Sequence, residues 1–269
     1  MAGQGLRLSR RGALGALARG ALAGGAAFGA FSALAPRARA FGQDGAFHPR
    51  LLLEAGRPLD PGHASGPSRW SWELIRRTSA PARLTVGSIA ADSTELLAEP
   101  FTVWLGSGAV APLSEPEVRG LRNYLTLGGV LFVDDSNPES GAFGRSVRQE
   151  LQRILPESPI VPLPPQHVLY KSYYLLDRPY GRVEGPDHLE AIVGGKMLRV
   201  LISSHDLVGA MAQQRGGGWT FPVEPRGQEQ RELAMRLAVN LAMYVLCLDY
   251  KDDQVHAEEL MRRRGRVRR

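Results

Sequence analysis

GGVLFVDDSNPESG, residues 128–141, contains two glycines, four consecutive apolar residues and the adjacent carboxylates Asp134 and Asp135. An apolar run without alternation suits a strand buried on both faces of a parallel sheet, where helices cover both sides. Before it, Ser114-Glu115-Pro116-Glu117 reads as a capping box with proline in the first turn, and Val118, Leu121 and Leu125 recur at helical spacing. Gly128 stops that helix and Gly129 leads into the strand. After the strand, Phe143, Val147, Leu151 and Ile154 mark one side of a second helix that stops at Pro156. The stretch is the centre of a βαβα unit.

Outward from this unit, short apolar runs alternate with amphipathic stretches, the pattern of a three-layer α/β fold with a mainly parallel sheet. Arg50–Leu53, LTVGSIA (84–90) and FTVWL (101–105) read as strands, and Ser68–Arg77 as a helix with Trp72, Ile75 and Trp70 on one face. PESPIVPLPP (156–165) holds five prolines and is extended. Leu189–Val193 and Met197–Ile202 flank Gly194-Gly195 as a C-terminal hairpin, which makes the sheet mixed. A long C-terminal helix, Gln228–Leu248, turns Leu233, Leu237, Leu241, Tyr244 and Leu248 toward the core. The organisation expected is a leader over 1–40, a single α/β domain over 41–250 and a charged basic tail over 251–269.

The net charge of +6 is unevenly placed. Residues 1–40 hold six arginines and no acidic residue; taking those six from the 33 basic residues leaves 27 against 27 acidic. The last eight residues, RRRGRVRR, hold six more arginines, so residues 41–261 carry 21 basic against 27 acidic. An acidic body does not suit a nucleic-acid partner.

The leader joins a basic start to a weakly apolar Ala/Gly stretch and the small-x-small site Ala38-Arg39-Ala40. Ser9-Arg10-Arg11-Gly12-Ala13-Leu14 reads as a twin-arginine signal, so the expectation is periplasmic export with cleavage after Ala40 and no stable membrane span afterwards; an uncleaved anchor is the alternative. The sole cysteine, Cys247, lies in the apolar run MYVLCL and reads as a small buried hydrophobe.

Chemistry in an open α/β sheet gathers outside the carboxyl ends of the strands. Three such ends carry candidates: Gly106-Ser107-Gly108, Asp134-Asp135-Ser136, and Ser203-Ser204-His205-Asp206. Ser107 is a candidate ligand contact, and Asp134, Asp135 and Asp206 are candidate bases or ligand contacts, although a carboxylate ending a strand also commonly caps the next helix. Asp134 and Asp135 point to opposite faces of an extended chain, so they do not form a matched pair; Asp135 is the expected contact. His167 and Arg145 are further candidates, for proton transfer and for an anionic ligand. No phosphate loop, dinucleotide fingerprint, HExxH or CxxC occurs, so neither a nucleotide nor a standard zinc site has sequence support, and the residues name no cofactor.

The ordered set EPEVRGLRNYLTLGG, VLFVDDS, RSVRQEL, HVLYKSYYLL, LISSHDL and ELAMRLAVNLAMYVL resembles the bacterial domain-of-unknown-function family 4159, from about Phe47 to Leu248. The resemblance implies a flavodoxin-like or class I glutamine-amidotransferase-like fold and no established activity. It also implies that Asp134, Asp135, His167, Tyr170, Ser172, Tyr173, Asp206, Arg236 and Asn240 stand at recurring positions, which adds Tyr170 to the candidates. The amidotransferases place a cysteine nucleophile after a strand, and this chain has none there. The expected function is a non-enzymatic envelope module that binds a small polar ligand or an envelope protein. The alternative is a hydrolase acting on a carbohydrate or other small polar ligand, with Asp134 or Asp135 as base and His167 or Asp206 assisting, with or without a divalent cation.

Overall fold

The computed structural model describes residues 45–53, 60–195 and 197–266, with side chains described as far as residue 248. The twin-arginine segment, its cleavage site and the side chains of the basic tail lie outside the described residues. In chain order the elements are β1 (Arg50–Leu53), α1 (Gly66–Thr78), β2 (Ser88–Ala90), β3 (Phe101–Gly106), α2 (Glu115–Thr126), β4 (Val130–Asp135), α3 (Ala142–Ile154), β5 (Val161–Pro162), β6 (Glu190–Gly194), β7 (Met197–Ser203), α4 (Leu207–Met211) and α5 (Gly227–Arg266). The strands form one sheet in the order β2-β1-β3-β4-β7-β6-β5. β2, β1, β3, β4 and β7 run parallel; β6 is antiparallel to β7, and β5 to β6. The sheet is therefore mainly parallel with a C-terminal hairpin, as the residue pattern requires.

The unalternating run VLFV works as anticipated. Val130 and Phe132 face one core with Phe101, Val103, Trp70 of α1 and Leu237 and Leu241 of α5. Leu131 and Val133 face the other with Trp104, Leu121 of α2 and Phe143 and Val147 of α3. Successive side chains alternate between the two helical layers, so all four are fully buried. Trp70 anchors the first layer: its indole N–H donates to Ala238 O at 2.7 Å, and its ring meets Phe132 edge-on at 5.7 Å.

The capping box forms as the sequence predicts. The Ser114 amide donates to the Glu117 carboxylate at 2.7 Å and the Glu117 amide returns to Ser114 Oγ. The order reverses between β1 and β3, since α1 crosses on one face to β2 while α2 crosses on the other to β4. That reversal opens a crevice at the carboxyl edge of β1, β3 and β4.

Four expectations need correction. Trp70 is buried, but Trp72 and Ile75 are 39% and 38% exposed, because Trp72 lies under the guanidinium of Arg69 at 3.9 Å and that of Arg76 at 4.9 Å rather than in the core. The strand expected over 84–90 is regular only at 88–90; Leu84 and Val86 lie at the sheet's open edge and are exposed. Cys247 is exposed, one position outside the stripe of α5 that buries Tyr244 and Val245. α5 continues to Arg266, well past Leu248. Among the described residues no helix is long and apolar enough to cross a membrane.

Asn240 ties α5 to the loop 172–174. Its side-chain oxygen accepts the amides of Tyr173 and Tyr174 at 3.2 and 2.7 Å, and its amide nitrogen donates to Tyr174 O at 2.8 Å. Asn240→Ala leaves these partly buried backbone groups without their partner and is expected to cost about 2 kcal/mol. Urea unfolding would show it as a lower midpoint, and Asn240→Asp, which keeps the acceptor, should recover part of the loss.

Candidate functional site

Asp134 and Asp135 part company at the end of β4, as the parity of the strand dictates. Asp134 continues the face of Val130 and Phe132 and meets α4, where Oδ1 accepts the amide of Leu207 at 3.0 Å and Oδ2 that of Val208 at 2.7 Å. Asp135 continues the face of Leu131 and Val133 and meets the start of α3. There Oδ1 accepts the Asn137 amide at 3.0 Å and Oδ2 the Gly144 amide at 3.2 Å. Each carboxylate takes the place an anionic ligand would have at a helix N-terminus. Gly106, beside Asp135 on β3, is required because a Cβ there would strike the Phe143 ring.

β7 lies next to β4, with Ser203 opposite Asp134, and the chain then turns through Asp206 at φ 52°. That left-handed conformation is tolerated by aspartate, whose side chain bonds locally. Asp206 is fully buried and its two oxygens gather three donors. Oδ1 accepts the Gly209 amide and the His63 Nε2–H, each at 3.0 Å, and Oδ2 accepts the Nε–H of Arg182. Arg182 Nη2 reaches back to Ser136 O at 3.4 Å.

His63 completes the cluster from the far side of the crevice. Its Nδ1 faces Asp60 Oδ2 at 2.7 Å, while Asp60 Oδ1 accepts the Gly62 amide at 2.9 Å in a turn two residues long. The ring is 4% exposed and lies 4.5 Å, centre to centre, from that of Phe221. With a carboxylate at each nitrogen, His63 is placed to donate from both as an imidazolium. It has no lone pair with which to act as a base.

The electrostatics follow from this packing. Burial opposes the charge on His63, but the hydrogen bonds and charges of Asp206 and Asp60 outweigh it and lift its pKa above the ordinary 6.5. Burial, with the Asp206 carboxylate alongside, pushes Asp134 up to about 7 against the pull of the two α4 amides. Burial also raises Asp135, despite its two amide bonds and nearby Arg148.

The remaining candidates stand apart from the cluster. Ser107 is exposed in the turn after β3. Arg145 is exposed on α3 and donates to Ser140 O at 3.1 Å in its own loop. His167 Nδ1 accepts the Leu169 amide at 3.1 Å, and its ring packs on Tyr244, whose hydroxyl meets the amide of Leu198 near the opposite end of β7 from Asp206. Tyr170 is fully buried with its hydroxyl on the Leu189 amide at 3.0 Å. The structure thus brings Asp134 and Asp206 together, places Asp135 on the other layer, and leaves Ser107, Arg145, His167 and Tyr170 outside.

His205, next to Asp206, turns away from the cluster. Its Nε2–H donates to Pro186 O at 2.8 Å, and burial pushes its pKa down to about 4, so the ring is neutral and Nδ1 is a buried acceptor without a partner. Sequence reasoning missed Asp60, His63 and Arg182. The turn Asp60-Pro61-Gly62-His63 lies between β1 and α1 and belongs to the same strand-end logic; Arg182 sits in an irregular stretch with no pattern to mark it. Among the described residues, no group of three or more His, Cys, Asp or Glu side chains is arranged to hold a metal ion.

A family model described as "Domain of unknown function (DUF4159)" matches residues 53–246. No curated protein matches the chain.

The cluster makes stability depend on pH in a defined sense. His63 has a folded-state pKa above its unfolded value, so its contribution is complete below 6.5 and is lost as pH rises through the raised value. Asp134 binds its proton more tightly folded than unfolded, so it lowers stability progressively from pH 3.8 to about 7. Below 6.5 His205 acts in the opposite sense, so variants isolate each contribution. In thermal unfolding from about pH 5 to 8, the deficit of His63→Gln against wild type should be largest at the acid end and shrink with rising pH. Asp134→Asn should lose the decline below pH 7. A deficit of constant size for His63→Gln would contradict the ion-pair account.

Proposed function

The chain belongs to the DUF4159 family, and from that premise we propose that it is a non-enzymatic ligand-binding or assembly module of the cell envelope. One observation carries the reading: the side chains that end the central strands are already engaged by backbone amides and by one another. Asp134 and Asp135 hold helix starts, Asp206 has accepted three donors, and His63 donates from both nitrogens. A general base needs a free lone pair within reach of a substrate proton, and a nucleophile needs an open approach. Asp134, Asp135, Asp206 and His63 are each 4% exposed or less, so none offers a lone pair within reach of a substrate proton or an open approach.

The hydrolase alternative loses its residues in the same way, since His167 lies toward the other end of β7 from Asp134 and Asp206. The reading also includes a scaffold similar to the class I glutamine amidotransferases without their nucleophile: Cys247 sits on α5 and not after a strand. Export by the twin-arginine route places the domain in the periplasm, supported by Ser9-Arg10-Arg11-Gly12-Ala13-Leu14 and Ala38-Arg39-Ala40.

Two measurements test the two halves of the reading. Melting temperatures of wild type and Asp135→Asn should be equally indifferent to magnesium, calcium, manganese and zinc. A cation-dependent rise in wild type that disappears in Asp135→Asn would restore the metal-assisted hydrolase. Replacing Arg10 and Arg11 by Lys should abolish export in cell fractionation, and continued export would reject the twin-arginine route.

A further inference from the structure

Beside the buried cluster lies an open groove of about 610 Å³ at the carboxyl edge of β4 and β7. Pro138, Pro186 and Pro225 line it together with three exposed glutamates, Glu139, Glu184 and Glu224. Glu184 shares its carboxylate with Arg178 at 3.2 Å, whereas Glu139 and Glu224 hold no ion pair among the described residues. The groove shares Val183, Glu184 and Gly185 with an adjoining recess, and His205 lines that recess. Its Nδ1 is the buried acceptor that lacks a donor. Carboxylates at the surface and apolar proline faces together fit a segment rich in arginine, whose planar guanidinium carries five donors and packs well on apolar surface.

The sequence supplies such a segment. Residues 262–269, RRRGRVRR, hold six arginines, while residues 41–261 carry 21 basic against 27 acidic residues. We propose that the groove docks residues 262–269 of a second copy of this chain. α5 starts two residues after Pro225 and runs for 40 residues, so it carries its far end, Arg266, away from the copy's own groove. At 1.5 Å per residue that helix is roughly 60 Å long. A tail that meets the groove of the next molecule makes a head-to-tail contact, which is heterologous and adds further copies rather than closing at two. The inference goes beyond the reading above, since neither export nor the chemistry of the crevice enters it.

Sedimentation velocity of the full chain over a concentration series tests it. Wild type should associate at low salt and dissociate as salt screens the contact. The groove variant Glu139→Gln/Glu184→Gln/Glu224→Gln should bind about tenfold more weakly or worse, and a tail variant with all six arginines replaced by Gln likewise. The three glutamates are exposed, so the groove variant is expected to keep its fold, which circular dichroism checks. Mixed in equal amounts, the two variants should form a one-to-one pair and stop there, one copy supplying the tail and the other the groove. Wild type that stays monomeric at every concentration, a groove variant that associates as tightly as wild type, or a mixture that fails to pair would each overturn the proposal.

Discussion

The structure depends on one buried ion pair, Asp206 with His63. Asp206 is inaccessible to solvent, and the cost of burying its carboxylate is offset by the donors that His63, Arg182 and the Gly209 amide supply. Removing one partner from such a pair typically costs about 3–5 kcal/mol, because the other charge is left buried and alone. The pair also sets local architecture. α4 is five residues long, too short to persist by itself, and its first amides are held by Asp134 and Asp206. His63 and Asp60 pin the segment after β1 to that helix, and Arg182 pins the segment before β6. Segments that follow β1, β4 and β7 thereby become one rigid rim.

This arrangement has a consequence for the crevice that the reversal of strand order creates. Helix N-termini at such an edge are ready-made anion sites, and here α3 and α4 receive carboxylates from β4 itself. The adjacency of Asp134 and Asp135 is what allows one strand end to serve two helices on opposite layers. The space left to partners lies beside the cluster, where Glu139, Glu184 and Glu224 line an open groove. Burial lowers the pKa of both buried histidines, and their partners explain the difference in character: no carboxylate faces His205, whose pKa falls to about 4, whereas Asp206 and Asp60 face His63 and raise its pKa.

Much of this was legible in the residues. The unbroken run VLFV, the capping box at Ser114 and the paired glycines at 194–195 each state a local requirement that tertiary structure does not override. Strand parity even separated Asp134 from Asp135, although it could not tell that both would be caps. What escaped was non-local. His63 and Asp206 are 143 residues apart, and nothing in either neighbourhood announces the other. Trp72 and Ile75 matched a helical stripe, yet stacked arginines keep Trp72 outside, since cation–π contact offers an indole an alternative to the core. His167 was drawn toward the site by residue type and Tyr170 by resemblance, neither by geometry, and their contacts with Leu169, Tyr244 and Leu189 are those of packing residues.

The protonation state of His63 is the most direct measure of whether a buried ion pair organises the carboxyl edge. Nitrogen-15 NMR of the histidine rings, with His63 assigned by comparison with His63→Gln, reads it without perturbing the fold of the wild type. The account predicts that at neutral pH both ring nitrogens of His63 carry protons, shielded from exchange by Asp60 and Asp206. A ring nitrogen of His63 with a lone pair at that pH would contradict it.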